Sequence, residues 1–237
     1  MHFTVLVVGQ DIDSKMAPYQ ENNVGDCPEK YLSISEELSY EDASGEFNSL
    51  SDIEKSKYEN METYINAIYG YVLNEDKTYF GYKENPDSQW DWYVLGGRWR
   101  GSLKLQPGKY GELNVTSVGE DNEPEYENGV DWALKGDIDW EGMKKEKVQI
   151  AITTWNAFMS KKHRIERVVS DKDLYLKYHI YPNETKKQFM KRMTDISTCA
   201  FLDSNGDWHS DIDEKEFWEL LDKVPDDEYV AIVDCHI

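Results

Sequence analysis

Two apolar strands, one near each end of the chain, constrain the fold more than anything between them. MHFTVLVVG is a β-rich run that reads as a buried strand, and the sequence closes on a second one, DEYVAIVDCHI. Side chains alternate across a strand, so His2, Thr4, Leu6 and Val8 share one face of the first, and Val230, Ile232, Asp234 and His236 share one face of the last. If the two are antiparallel neighbours, one register sets Val8 against Val230, Leu6 against Ile232, Thr4 against Asp234 and His2 against His236. Apolar then meets apolar and polar meets polar. This pattern predicts an α+β fold: an antiparallel, ferredoxin-like sheet with its terminal strands adjacent, helices on one face and an inserted β-meander, all in a single domain spanning 1–237.

The same register predicts a site. It gathers His2, Thr4, Asp234 and His236 at one end of the sheet, beyond an apolar floor. Histidine titrates near neutral pH and a carboxylate can orient it, so these four are the candidate catalytic residues. Two imidazoles and a carboxylate also suit a transition metal, which leaves a divalent metal cofactor open. The alternative is that polar residues at strand tips are exposed by default. HFT is similar to HxT-type phosphoesterase motifs, although a second HxT or HxS is absent. Cys235 lies between Asp234 and His236 but alternates to the opposite face, which argues against a Cys–His nucleophile pair.

The stretch QWDWYVLGGRWRG, residues 89–101, is the second candidate. It concentrates rings and guanidinium groups around a Gly-Gly pair. Trp90, Asp91, Trp92, Tyr93, Gly96, Gly97, Arg98 and Trp99 are its candidate ligand-binding residues. A base would stack on a ring, and an anion would meet arginine and the backbone N–H groups at the glycines. The competing reading is a bulged hairpin whose tryptophans fill the core and whose arginines cover them.

Elsewhere the pattern alternates helices with turns. APYQENNVGDCPEKY reads as a long loop. SLSDIEKSKYENMETYINAIYG carries a capping box, Ser51 with Glu54, and places Ile53, Tyr58, Met61, Ile65 and Ile68 at near-helical spacing, so a helix ending near Gly70 is expected. Residues 71–136 read as the inserted meander and loop. Helices are expected over about 139–160, after the Thr185/Gln188 capping pair, and in DEKEFWELLDKV. A hairpin is expected around Asn205-Gly206. DSNGDWHSD resembles a calcium loop only loosely, because Trp208 stands where the turning glycine belongs.

Net charge is −21, which argues against bulk binding to a phosphate backbone. The charge is uneven: from Met143 to Arg192 there are 13 Lys or Arg against 5 Asp or Glu, a local +8. That run reads as a solvated helix face or as a local anion-binding face. Three cysteines without metal-ligand spacing suit a reducing cytoplasm. The first residues carry no basic leader, and no apolar run approaches the ~20 residues a membrane span needs, so no membrane partner is expected. There is no P-loop, no GxSxG and no dinucleotide fingerprint.

HFTVLV at the start, APYQEN, WDWY followed by GGRW, and VDCHI at the close together resemble a family of uncharacterised bacteriophage proteins. The resemblance implies phage origin and residence in the host cytoplasm, with no assigned chemistry. Combined with the two candidate sites, the expectation is a phage protein that recognises a nucleotide or cyclic oligonucleotide. It would remove that host defence signal as a phosphodiesterase or nuclease-like enzyme, or sequester it. The alternative is an acidic, nucleic-acid-mimicking inhibitor that binds a host defence protein. Catalysis itself is left open by the sequence.

Overall fold

The computed structural model describes residues 1–114, 123–162 and 171–237. It is a mixed α+β structure, and its contacts divide the chain into two compact units. The first comprises Met1, Asp13–Tyr93 and His236–Ile237; the second comprises His2–Ile12 and Val94–Cys235. The chain passes from the first unit to the second after Tyr93, within the stretch 71–136.

The main sheet has seven strands: β1 (His2–Val8), β2 (Trp92–Leu95), β3 (Gly111–Glu112), β4 (Trp132–Leu134), β5 (Ala200–Leu202), β6 (Trp208–Ser210) and β7 (Tyr229–His236). Their order is β6-β5-β1-β7-β4-β3, with β2 pairing β7 off this path. The terminal strands are neighbours, as their alternation predicts. Gly9 N–H donates to the Tyr229 carbonyl at 2.8 Å near one end of the pair, and Ile237 N–H donates to the Met1 carbonyl at 2.9 Å near the other. Both bonds fit one antiparallel offset, which sets Val8 opposite Val230, Leu6 opposite Ile232 and Thr4 opposite Asp234. These are the non-hydrogen-bonded pairs, whose side chains approach most closely.

The sheet is mostly antiparallel. The exception is β1 with β5, which run parallel with Val5 beside Ala200. The hairpin partner of β5 is β6, which follows it in sequence. A ferredoxin-like path would place that partner before it, so the observed order does not reproduce that connectivity. The β5–β6 hairpin turns at Gly206 with φ +90°, where the expected Asn205-Gly206 turn lies.

In the second unit the core lies on the face that carries Leu6, Val8, Phe201 and Ile232. α1 (Trp140–Lys162) brings Met143 to it, and α4 (Glu214–Leu221) brings Phe217 and Leu220. α4 starts at Asp213, whose side chain accepts the Glu216 N–H, so the carboxylate satisfies an N–H that the helix leaves unpaired. Between these helices in sequence, α2 (Asp171–Tyr178) and α3 (Lys186–Thr194) pack on the far part of α1 around Phe158 and Phe189. Thr185 and Gln188 form the expected capping box of α3. On the opposite face of the sheet Val5, Val7, Ala231, Val233 and Cys235 are also buried, so the central strands are covered on both sides.

The first unit is built on the helix Met61–Tyr69, which ends at Gly70 in the left-handed conformation, φ +75°. The expected long helix is in fact broken. Ser51 and Glu54 make their capping box, but it starts only the short helix Asp52–Lys55, and Asn60 caps a second start. Ile53, in the short first helix, is 78% exposed; in the second helix Ile65 is fully buried while Ile68 is 51% exposed. A further helix, Tyr40–Ser49, closes the cluster of Ala43, Tyr64, Ile65 and Phe80. The expected meander is divided among separate small pairings. Val72–Leu73 and Tyr79–Gly81 join Leu38–Ser39, whereas Lys83–Glu84 joins Ser33–Ile34. Among the described residues, no helix is long and apolar enough to cross a membrane.

Candidate functional site

The residues singled out in the sequence fall into two groups, one per unit. His2, Thr4 and Asp234 assemble in the second unit with Gly96, Gly97, Arg98 and Trp99. His236 assembles in the first with Trp90, Asp91, Trp92 and Tyr93. Asp234, expected to gather with both histidines, pairs with His2, and Asp91, expected at a ligand platform, is the partner of His236.

In the second unit, His2 Nδ1 lies 2.8 Å from Asp234 Oδ1. Asp234 is only 3% exposed, and its other oxygen, Oδ2, accepts the backbone N–H of Arg98 at 2.9 Å. Both carboxylate oxygens are therefore engaged and the group cannot swing. With Nδ1–H directed at the carboxylate, Nε2 becomes the basic nitrogen of the neutral ring. Thr4, opposite Asp234, accepts the Cys199 N–H at 3.2 Å through its hydroxyl oxygen and keeps its own proton to donate.

The Gly-Gly pair makes this arrangement reachable. Gly96 and Gly97 both have positive φ, +73° and +50°. A Cβ on Gly96 would fall about 2.4 Å from the Asp131 carboxyl carbon, and one on Gly97 about 2.5 Å from Asp234 Cβ and Oδ2. The loop thus lies flush on two buried carboxylates, and its backbone serves the protein's own anions. Arg98 N–H meets Asp234, while Gly101 N–H meets Asp131 Oδ1 at 2.6 Å. Asn114 N–H takes Asp131 Oδ2 at 2.9 Å, and Gly96 N–H is spent on the Ile232 carbonyl at 2.8 Å. Burial pushes the Asp131 carboxyl up, against the pull of the Gly101 and Asn114 amides and of Arg100. The Arg98 side chain is exposed and makes no ion pair among the described residues.

Trp99 leads from this loop to a cavity of about 150 Å³. Thr4, Leu6 and Ile232 form its floor, and Trp99, Tyr126 and Trp140 supply aromatic walls. Its charged lining is the ion pair of Lys147 with Glu125, together with Asp195. Sequence reasoning missed Asp131, Tyr126, Lys147 and Asp195. A signal existed for Asp131, an acid inside the strand-like run GVDWAL, where burial demands partners. Tyr126, Lys147 and Asp195 come from loop and helix positions with no local signature.

In the first unit, His236 Nδ1 sits 2.9 and 3.0 Å from the two oxygens of Asp91. Its ring stacks on Trp92, with centroids 5.2 Å apart and planes 12° from parallel. Burial pushes the Asp91 carboxyl up, but the hydrogen bonds from His236 and the Trp92 N–H outweigh it and hold the group below its usual range. Trp90 is a core residue, 6% exposed, whose indole N–H donates to the Met16 carbonyl at 3.1 Å. Its ring meets Tyr93 edge-on, and the Tyr93 hydroxyl donates to Asp13. Trp92 is the partly exposed ring of this group, at 38%.

Cys235 is buried, and burial together with the Asp234 charge pushes its thiol well up, so it is no thiolate nucleophile. Among the described residues, no group of three or more His, Cys, Asp or Glu side chains is placed to hold a metal ion. Comparison with protein families, with curated proteins and with solved structures finds no match to this chain.

Proposed function

We propose that the second unit carries an acid–base site that hydrolyses a phosphate ester of a nucleotide. The observation that carries this reading is the His2–Asp234 pair. A nearly buried carboxylate, fixed through both oxygens, orients one imidazole at 2.8 Å. Such a pair suits proton transfer. His2 Nε2 takes the proton of the attacking water, the water oxygen bonds to phosphorus, the bond from phosphorus to the leaving oxygen breaks, and the His2 imidazolium returns its proton to that leaving oxygen. Arg98, whose backbone holds Asp234, is the cation for the phosphate, and the Thr4 hydroxyl is a donor beside it. No metal is required by this scheme.

The phage setting, the removal of a host defence signal and the cytoplasmic location rest on the resemblance of the sequence motifs. A second reading is supported by the net charge of −21: an acidic protein that occupies the nucleic-acid site of a host enzyme. One experiment separates the two. Mononucleotides, dinucleotides and cyclic oligonucleotides are incubated with the full chain and with His2→Gln, and the products are resolved by chromatography. The proposal expects cleavage of at least one compound, slowed about 10²–10⁴-fold by His2→Gln. Equal cleavage by both proteins, or none by either, refutes it.

A further inference from the structure

Asp131 lies wholly buried just before β4, and the proposed proton transfer makes no use of it. A carboxylate held out of water is costly unless donors meet its oxygens, and here both are met. Oδ1 accepts the Gly101 N–H at 2.6 Å, and Oδ2 accepts the Asn114 N–H at 2.9 Å. Each of these donors grips the loop that carries Arg98. Gly101 closes that loop. Asn114 holds its flanks: its Nδ2 donates to the Leu95 carbonyl at 3.0 Å, and its own carbonyl accepts Arg100 Nε at 3.1 Å. One carboxylate therefore fixes Leu95, Arg100 and Gly101, three points that bracket Arg98.

The same loop rests on Asp234. Arg98 N–H donates to Asp234 Oδ2 at 2.9 Å, and Asp234 Oδ1 faces His2 Nδ1 at 2.8 Å. The two carboxylates come from neighbouring strands. The register that sets Trp132 beside Ala231 brings Asp131 beside Ile232, whose N–H donates to the Asp131 carbonyl at 2.8 Å, and Asp234 follows two residues later on the face of Ile232. The loop thus bridges the two, with Gly101 N–H directed at one and Arg98 N–H at the other. Its start is held separately, since Gly96 N–H donates to the Ile232 carbonyl at 2.8 Å. Loss of the Asp131 charge would leave the loop attached there and release the part that carries Arg98.

We propose that Asp131 is a positioning residue of the acid–base pair. By holding Leu95, Arg100 and Gly101 it sets the Arg98 N–H against Asp234, and through that bond it fixes the carboxylate that orients His2. The inference rests on the proposed phosphoester site and adds the residue that keeps its base aligned. Asp131 is buried away from any ligand, so it acts through the loop alone.

Asp131→Asn tests this, because the amide keeps the shape and one acceptor oxygen but turns an NH2 group towards the second N–H. Amide hydrogen exchange and nitrogen-15 NMR of the His2 ring are recorded on the full chain, parent and variant. The Arg98 amide is expected to exchange about 10- to 100-fold faster in the variant, measured relative to the amide of Val233, which is buried in β7 and reports global opening. The neutral His2 ring should lose its preference for a proton on Nδ1 and populate both tautomers. A carboxylate that served stability alone would speed both amides equally. That result, or a faster Arg98 amide with an unchanged His2 ring, overturns the inference. If Asp131→Asn does not fold, Asn114→Ala decides: it removes only the clamp on Leu95, and the Arg98 amide should exchange at least about threefold faster relative to Val233, whereas no change overturns the inference. Neither readout uses a substrate. A parent protein that cleaves no phosphate ester would remove the hydrolytic reading and leave this assignment standing; cleavage by the parent, with Arg98 exchange and the His2 ring untouched in the variant, would do the reverse.

Discussion

Gly97→Ala is the perturbation that most sharply probes how the loop holds Asp234. Two costs arise. The residue sits at φ +50°, where a side chain costs about 1–2 kcal/mol. The new methyl would also lie about 2.5 Å from Asp234 Cβ and Oδ2, inside any real contact. Either the overlap is absorbed, at about 1–3 kcal/mol, or Asp234 moves and the Arg98 N–H bond to a charged acceptor is lost, at about 1.5–3 kcal/mol. These are alternatives, so only one is counted, and the total is roughly 2–5 kcal/mol. Gly108 supplies the control, with φ +78° and nothing within 4 Å of an added Cβ. Gly108→Ala should cost only the backbone strain, about 1–2 kcal/mol. Urea unfolding of both variants, read as the midpoint multiplied by a common slope, gives the difference. If Gly97→Ala falls within about 0.5 kcal/mol of Gly108→Ala, the close packing of the loop on Asp234 is wrong.

Three further outcomes are expected. Trp90→Ala should lose about 3–5 kcal/mol as a buried ring, whereas Trp92→Ala, at 38% exposure, should lose less, with the stacking on His236 contributing about 0.5–1.5 kcal/mol; thermal unfolding of the two compares them. The folded-state Asp91 carboxyl is depressed, so its contribution to stability is present above the unfolded value near ~4 and is lost as pH falls through the folded one. The stability gap between the parent and Asp91→Asn should therefore shrink steadily as pH falls from about 5 towards 2 in denaturant titrations. Asp131→Ala should lose at least about 2 kcal/mol by leaving the Gly101 and Asn114 N–H groups without their acceptor, and a loss under 0.5 kcal/mol in the same unfolding assay would contradict that role.

Much of this was legible in the alternation of two strands. The facing of Thr4 with Asp234 follows from a period of two and an apolar floor, because a one-residue slip would turn every side chain of that strand over. The capping pairs Ser51/Glu54 and Thr185/Gln188 were readable because the hydrogen bonds that make them are local. What followed Ser51 was not. The helix broke before Asn60, itself a good cap, and a run with two starts reads as one when only apolar spacing is counted. GGRWRG was readable as a place of close backbone approach, but not for what approaches. The sequence suggested an anionic ligand, and the glycines instead admit Asp131 and Asp234, which come from distant parts of the chain. The pairing of His236 with Asp91 was equally hidden, since both Asp91 and Asp234 alternate into plausible positions.

Nitrogen-15 NMR of the His2 ring tests the central claim most directly, because it reports which nitrogen carries the proton. With Asp234 fixed by the Arg98 N–H and facing Nδ1 at 2.8 Å, the neutral ring should carry its proton on Nδ1 and leave Nε2 bare. Asp234→Ala should abolish that preference. A neutral His2 ring protonated on Nε2 in the parent protein would contradict the assignment of Nε2 as the base.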